Sequence, residues 1–173
     1  IKRINKLPLK IKKKALIDIN NISKPKKIPK LKLNNLPILM GVLNITPDSF
    51  SDGGKFNKKK AARKQINKLI VDGAKIIDIG GESTRPGSKE IIQKEEWLRV
   101  NKVMGYIKSK KVFVSLDTRK SFVMKKAAKY KLDLINDVSG LSYDKETINF
   151  LKNTKLPFVL NHMKNTTENM QKN

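Results

Sequence analysis

The residues best equipped for chemistry stand where short apolar runs stop: Asn44, the pair Thr84-Arg85, Asp117 and Asn136. The side-chain oxygen of Asn44 is a hard ligand of the kind Mg²⁺ accepts. A threonine hydroxyl beside a guanidinium suits phosphate oxygens, which Arg can grip bidentately. A carboxylate accepts two parallel hydrogen bonds, and a carboxamide both donates and accepts. Asp117 and Asn136 together therefore suit the edge of a flat heterocycle that carries adjacent N–H groups and a carbonyl. Each has a plainer reading. Asn44 could open an Asx turn into Thr46-Pro47-Asp48, Asp52 could be half of an Asp-Gly turn, and Arg85 could be a solvated loop residue. Asp117 could cap the following helix and Asn136 could open a turn. Asp78 lies inside an apolar run, where an acid must be paired or functional. It belongs either to the floor of a pocket or to a structural hydrogen-bond network, and the network is the preferred reading.

The elements that must position these groups follow from the apolar pattern. Five strand-length runs begin near Ile38, Ile76, Lys111, Leu132 and Leu156, and end at Asn44, Gly80, Asp117, Asn136-Asp137 and Asn161-His162. Between them the spacing predicts helices over about 58–72, 91–110, 119–131 and 145–152. In the first, Ala62, Ile66, Leu69 and Ile70 recur at three- and four-residue intervals, with Lys60, Lys64 and Lys68 on another face. Alternating strands and amphipathic helices imply βαβ units, a parallel sheet and right-handed crossovers. Polar residues at the C-terminal end of every strand favour an α/β fold of the (β/α)8 TIM-barrel type. A doubly wound sheet would gather its site at one switch point, and no glycine-rich dinucleotide or phosphate-loop fingerprint follows any strand.

Eight such units need about 250 residues, whereas the chain has 173 and does not begin with Met. The expectation is a fragment: a partial barrel over 38–173 holding the first five strands, preceded by an irregular basic N-terminal extension over 1–37. In that extension Leu7 to Ile11 and Ala15 to Ile19 could be short strands, and Lys24 to Pro29 a Pro-broken linker. It would close the bottom of the barrel or belong to an upstream segment. Five strands cannot close an eight-stranded barrel, so this chain alone is expected to be inactive.

Two segments carry a family likeness: Gly41-Val42-Leu43-Asn44-Ile45-Thr46-Pro47-Asp48-Ser49-Phe50-Ser51-Asp52-Gly53-Gly54, and Ile76-Ile77-Asp78-Ile79-Gly80-Gly81-Glu82-Ser83-Thr84-Arg85-Pro86-Gly87. Together they resemble the signature segments of dihydropteroate synthases, pterin-binding TIM-barrel transferases of folate biosynthesis. The resemblance covers about four-fifths of the chain, from Ile38 onward, and implies that the chain is an N-terminal two-thirds fragment of such an enzyme. It implies condensation of 6-hydroxymethyl-7,8-dihydropterin diphosphate with p-aminobenzoate, with Mg²⁺ as cofactor. It makes Asn44 the metal contact, assigns Thr84, Asp117 and Asn136 to the pterin diphosphate, and makes Phe50 and Pro86 an apolar clamp on p-aminobenzoate. Catalytic roles fall to Arg85 at the diphosphate and to Asp52, which joins the metal shell on loop closure. Asn161 departs from the pattern, since the family usually has Met before the histidine that here is His162. The nearest rival is a pterin-dependent methyltransferase barrel, which has no reason to keep a diphosphate-binding Ser-Thr-Arg-Pro loop. A remoter one is a basic, non-enzymatic binding protein.

The net charge of +24 would ordinarily suggest a nucleic-acid partner. Arg, however, occurs only at positions 3, 63, 85, 99 and 119, and aromatics make up 6% of the chain, mainly inside the apolar runs. Nucleic-acid binders pair a basic stripe with aromatic or bidentate Arg contacts, so no nucleic-acid partner is expected. The lysines read as the outer faces of helices, and their field would speed the arrival of anionic substrates. There is no cysteine, hence no thiolate metal site. No apolar stretch approaches the ~18 residues of a membrane span. The expectation is a cytoplasmic protein that does not bind membranes. The full-length protein is expected to be a homodimer, although the residues themselves leave the oligomeric state open.

Overall fold

In a computed structural model the protein is described at residues 4–24, 37–46, 55–83 and 88–161. Five parallel strands form one sheet: β1 (Met40–Asn44), β2 (Ile76–Gly80), β3 (Phe113–Asp117), β4 (Leu134–Asp137) and β5 (Phe158–Leu160). Their spatial order is the chain order, with every neighbouring pair parallel. That is the winding of a barrel wall. A doubly wound sheet would reverse direction at a switch point, and there is no such reversal among these five strands.

Crossovers run through α2 (Lys55–Val71), α3 (Gln93–Ile107), α4 (Ser121–Ala127) and α5 (Glu146–Asn153). Each packs an apolar stripe on the outer face of the sheet. In α3 the stripe is Val100, Val103, Met104 and Ile107, all fully buried at the spacing of one helix face. It meets the alternate strand residues Leu43, Ile77, Ile79, Val114, Leu116 and Ile135 in a single core. Burying one such aliphatic side chain contributes about 1.5–3 kcal/mol, so this layer fixes which face of each strand turns outward. The opposite face is left to the site.

Gly41 shows how close the layers lie. A Cβ there would stand 3.0–3.2 Å from three side-chain atoms of Leu69 on α2. Asp144 joins two helix starts, accepting from the Ser121 backbone N–H at 2.8 Å and the Glu146 N–H at 2.9 Å. Burial works to raise its pKa, but these two donors hold the carboxyl below the usual aspartate range.

Three expectations need correction. The N-terminal extension is not irregular and carries no strands where they were expected: a short 3₁₀ turn (Ile4–Lys6) leads into α1 (Leu9–Ser23). Ile11, Ala15, Ile19 and Ile22 repeat at helical intervals inside what reads locally as two β-branched runs, and the longer period wins. This helix lies in a compact unit over Ile1–Asn34, and the sheet in a second over Asn35–Asn173. The helix expected over 119–131 is only seven residues long, because the chain bends at Arg119, Lys120 is extended, and a turn at Ala128 and Lys129 ends the helix ahead of β4. Nor are all the lysines on outer faces, since Lys120 is 3% exposed.

Candidate active site

Strand register builds the site. Asn44, Gly80, Asp117 and Asn136 pair in one continuous row across β1 to β4, which continues to Val159 on β5. Residues in one row of a parallel sheet point to the same face, and so do residues two positions along a strand. The row beneath is Val42, Asp78, Ser115 and Leu134. The inner face therefore carries Asn44, Asp78, Ser115, Asp117 and Asn136 together, at the C-terminal ends of the strands.

Gly80 is the gap in the upper row. A Cβ placed there would stand 3.1 Å from Asn44 Oδ1 and 3.4 Å from Asp117 Oδ2. Both side chains thus lean over the glycine from opposite sides, and the absence of a side chain lets them converge. Across β3, Asn136 Nδ2 donates to Asp78 Oδ2 at 2.9 Å. This bond places Asp78 in the network preferred for it, and it orients the carboxamide so that its oxygen faces away from Asp78.

Three atoms of this floor are buried and have no hydrogen-bond partner among the described residues: Asp78 Oδ1, Ser115 Oγ and Asp117 Oδ1. An unpaired buried acceptor costs about 1–3 kcal/mol, so a cluster of them marks a surface shaped for a polar ligand. Burial, followed by the charges of Asp78, Glu96, Asp137 and Glu82, pushes the Asp117 carboxyl up to about 7.

The plainer readings fail for two of these residues. Asp117 does not cap α4, whose first turn is served by Asp144 and whose Lys120 N–H is met by Thr118 Oγ1 at 3.2 Å. Asn136 does not make the turn after β4. Asp137 does, accepting from the Ser139 N–H at 2.8 Å and the Ser139 hydroxyl at 2.6 Å. Both side chains are left available on the inner face. Trp97 packs on the core edge with its ring 6.0 Å from that of Tyr130. Asn161 lies after β5, and its carbonyl oxygen stands 2.4 Å from where a Cβ on Gly140 would be, a position held at φ 62°. Phe50, Asp52, Thr84, Arg85, Pro86 and His162 lie outside the described residues.

For a metal, the described residues offer little by themselves. No group of three or more His, Cys, Asp or Glu among them could hold an ion. Asn44 Oδ1 supplies one neutral hard oxygen at the rim, which fits Mg²⁺ because that ion commonly takes most of its remaining ligands from water and substrate phosphate.

Beside the floor lies an ionic cluster that the sequence reading did not find. Lys120 Nζ donates to Glu82 Oε1 and to the Ile91 carbonyl, both at 2.7 Å, and lies 3.0 Å from Glu96 Oε2 as an ion pair. Arg119 Nε donates to Glu82 Oε2 at 3.0 Å, and its guanidinium stacks 4.0 Å over the Tyr143 ring. Burial works against the Glu82 charge, but Lys120, the Ile91 N–H and Arg119 together hold its carboxyl below the usual range. Burial prevails at Glu96 and raises its pKa. One signal for the cluster was present. Glu96 falls on the same stripe as Val100, Val103, Met104 and Ile107, where an acid needs a buried cation.

Comparison with known proteins agrees with this geometry. Dihydropteroate synthase of Clostridium beijerinckii is 44% identical over 131 residues, covering 75% of this chain and 49% of that protein. Two solved dihydropteroate synthases each superpose with a TM-score of 0.72. That of Xanthomonas albilineans, with 4-aminobenzoic acid, is 39% identical and covers 77% of this chain and 49% of its own. That of Yersinia pestis, in a sulfonamide drug complex, is 41% identical and covers 82% and 51%. The chain thus spans about half the length of these relatives, and its five-stranded sheet is part of their barrel. Residues 40–173 match the model of the pterin binding enzymes. By its row of inward polar strand ends and by this match, the chain belongs to the pterin-binding enzyme family, alongside the dihydropteroate synthases.

Proposed function

We propose that the protein containing this chain is a dihydropteroate synthase. It would condense 6-hydroxymethyl-7,8-dihydropterin diphosphate with p-aminobenzoate to give 7,8-dihydropteroate and pyrophosphate. The observation that carries this reading is the convergence of Asp117 and Asn136 over one face, with Asp117 Oδ1 buried and unpaired among the described residues. Asp117 would accept from the N–H donors of the pterin's aminopyrimidine edge. Asn136, turned by Asp78, would present its oxygen to the same ring.

The reaction breaks the bond between the pterin methylene carbon and the diphosphate oxygen, forms a carbon–nitrogen bond, and releases the amine proton to solvent. The chain's residues bind and orient the pterin, bringing its methylene carbon close to the incoming amine. Thr84 and Arg85 would hold the diphosphate and stabilise its developing charge, and Phe50 with Pro86 would flank p-aminobenzoate. Asn44, and Asp52 on loop closure, would hold Mg²⁺, which when bound neutralises charge on the leaving diphosphate. The 4-aminobenzoic acid and sulfonamide complexes of the relatives support small-molecule substrates of this class. A homodimer, a cytoplasmic location and the lack of nucleic-acid or membrane partners belong to the same proposal. Among the described residues, no helix is long and apolar enough to cross a membrane.

The test is to incubate the full-length protein with both substrates. The expected result is dihydropteroate and pyrophosphate in equal amounts, and absence of both products sinks the proposal.

A further inference from the structure

The Lys120 cluster is not explained by stability alone. An ion pair taken out of water contributes little or nothing net compared with apolar residues of the same volume, because desolvation offsets the attraction. What charges add is direction. Lys120 follows β3, yet its ammonium reaches three other segments: Glu82 just after β2, the Ile91 carbonyl just before α3, and Glu96 inside α3. Glu82 in turn accepts from the Ile91 N–H at 3.0 Å, and Ser88 Oγ donates to the Ser83 carbonyl at 2.6 Å. Arg99 adds a bond to the Gly81 carbonyl at 3.0 Å. Residues 81–83 and 88–91, which flank 84–87 in the chain, are thereby tied to one another and to the exit of β3. Asp117 and Asn136 need none of these ties, since strand pairing holds them directly.

We propose that Lys120 is a positioning residue that clamps the segment after β2 to the segment before α3, so that the diphosphate side of the substrate is held in register with the pterin floor. This rests on the functional reading above for the ligand, but not for the clamp itself.

The test uses full-length protein carrying Lys120→Met with Glu96→Leu. The pair removes a buried cation together with a buried acid, and leaves Glu82 paired with Arg119, so the fold is retained. Hydrogen exchange should accelerate at the amides of 88–92 by at least about tenfold while β2, β3 and β4 keep their protection. Affinity for the pterin diphosphate should fall about 10- to 100-fold with affinity for the bare hydroxymethylpterin unchanged, a loss equivalent to about 1.4–2.7 kcal/mol. Unchanged exchange at 88–92, acceleration spread evenly over the sheet, or equal loss for both ligands would each overturn the clamp. A wild-type protein that binds neither pterin defeats the synthase reading instead, and the exchange measurement then still decides the role of Lys120.

Discussion

Asn136 and Asp78 are joined across an intervening strand, the carboxamide on β4 donating to the carboxylate on β2 at 2.9 Å. The bond settles which way a nearly symmetric side chain faces. With its nitrogen committed to Asp78, Asn136 offers the inner face an acceptor, matching the acceptor on Asp117. A ring edge rich in donors is the complement of that pair.

Replacing that acid tests the relationship. Asp78→Asn leaves a partner that can donate or accept, so the Asn136 amide is no longer held one way round. Pterin affinity should fall about tenfold, the scale of one neutral hydrogen bond. The charge of Asp78 also helps to raise the Asp117 pKa, so the Asp117 titration should move below about 7. Carboxyl-selective NMR across pH checks the second point, and an unmoved midpoint would separate the two acids.

Asp117→Asn should weaken pterin binding more than p-aminobenzoate binding. The amide turns a donor toward the pterin's own donors, at a cost of about 2–4 kcal/mol, roughly 30- to 1,000-fold. Calorimetry with each ligand measures the split. Unchanged pterin affinity removes Asp117 from the pocket.

The same substitution should stabilise the free protein in neutral and alkaline solution. The Asp117 carboxyl has a folded pKa of about 7 against an ordinary value of 3.8. Between those values the native state binds a proton that the unfolded chain has released. Wild-type stability therefore falls as pH rises from about 4 to 7, then levels off. Asn has no proton to lose, so its advantage grows through that window to a plateau on the order of 4 kcal/mol. Thermal denaturation from pH 4 to 9 would reveal it, and parallel curves for the two proteins would contradict the buried titration.

Two adjacent glycines should respond differently. In Gly80→Ala the new methyl meets the ends of side chains, Asn44 Oδ1 at 3.1 Å and Asp117 Oδ2 at 3.4 Å, which can shift at little cost to the fold. Ligand binding should suffer more than stability. In Gly81→Ala the methyl meets the Glu96 backbone oxygen at 2.9 Å and Val100 Cγ2 at 3.0 Å, so α3 itself must move. A stability loss of about 1–3 kcal/mol is expected there. Chemical denaturation alongside pterin titration distinguishes the two, and equal stability losses would mean that the row around Gly80 is rigid.

The diphosphate assignment has its own test. Thr84→Val with Arg85→Ala should slow turnover while sparing binding of a pterin that bears no diphosphate. Equal loss for both ligands would mean a folding defect or a mistaken map.

The strand pattern was legible because each run is short, branched and closed by a polar residue, and a buried parallel strand leaves that mark on the sequence. All five strands lie within about two residues of the expected starts and stops, and Asn44, Asp117 and Asn136 face one side as their positions implied. What escaped depends on partners distant in sequence. Lys120 looks like any other lysine until Glu82, 38 residues earlier, is brought 2.7 Å away. The N-terminal helix escaped for the opposite reason. Its β-branched residues favour strand locally, and only the four-residue interval from Ile11 through Ile19 shows the helix.

The sequential strand order also bears on how the molecule is made. Each of these five strands pairs with the one synthesised just before it, so no pairing among them waits for a partner more than one crossover away. Parallel pairings across a crossover form more slowly than local contacts, but a chain emerging from the ribosome can acquire them progressively. Asn44, Gly80, Asp117 and Asn136 would then reach their common level one crossover at a time, each new strand docking on an edge already laid down. The row would be assembled in the order in which its letters are translated.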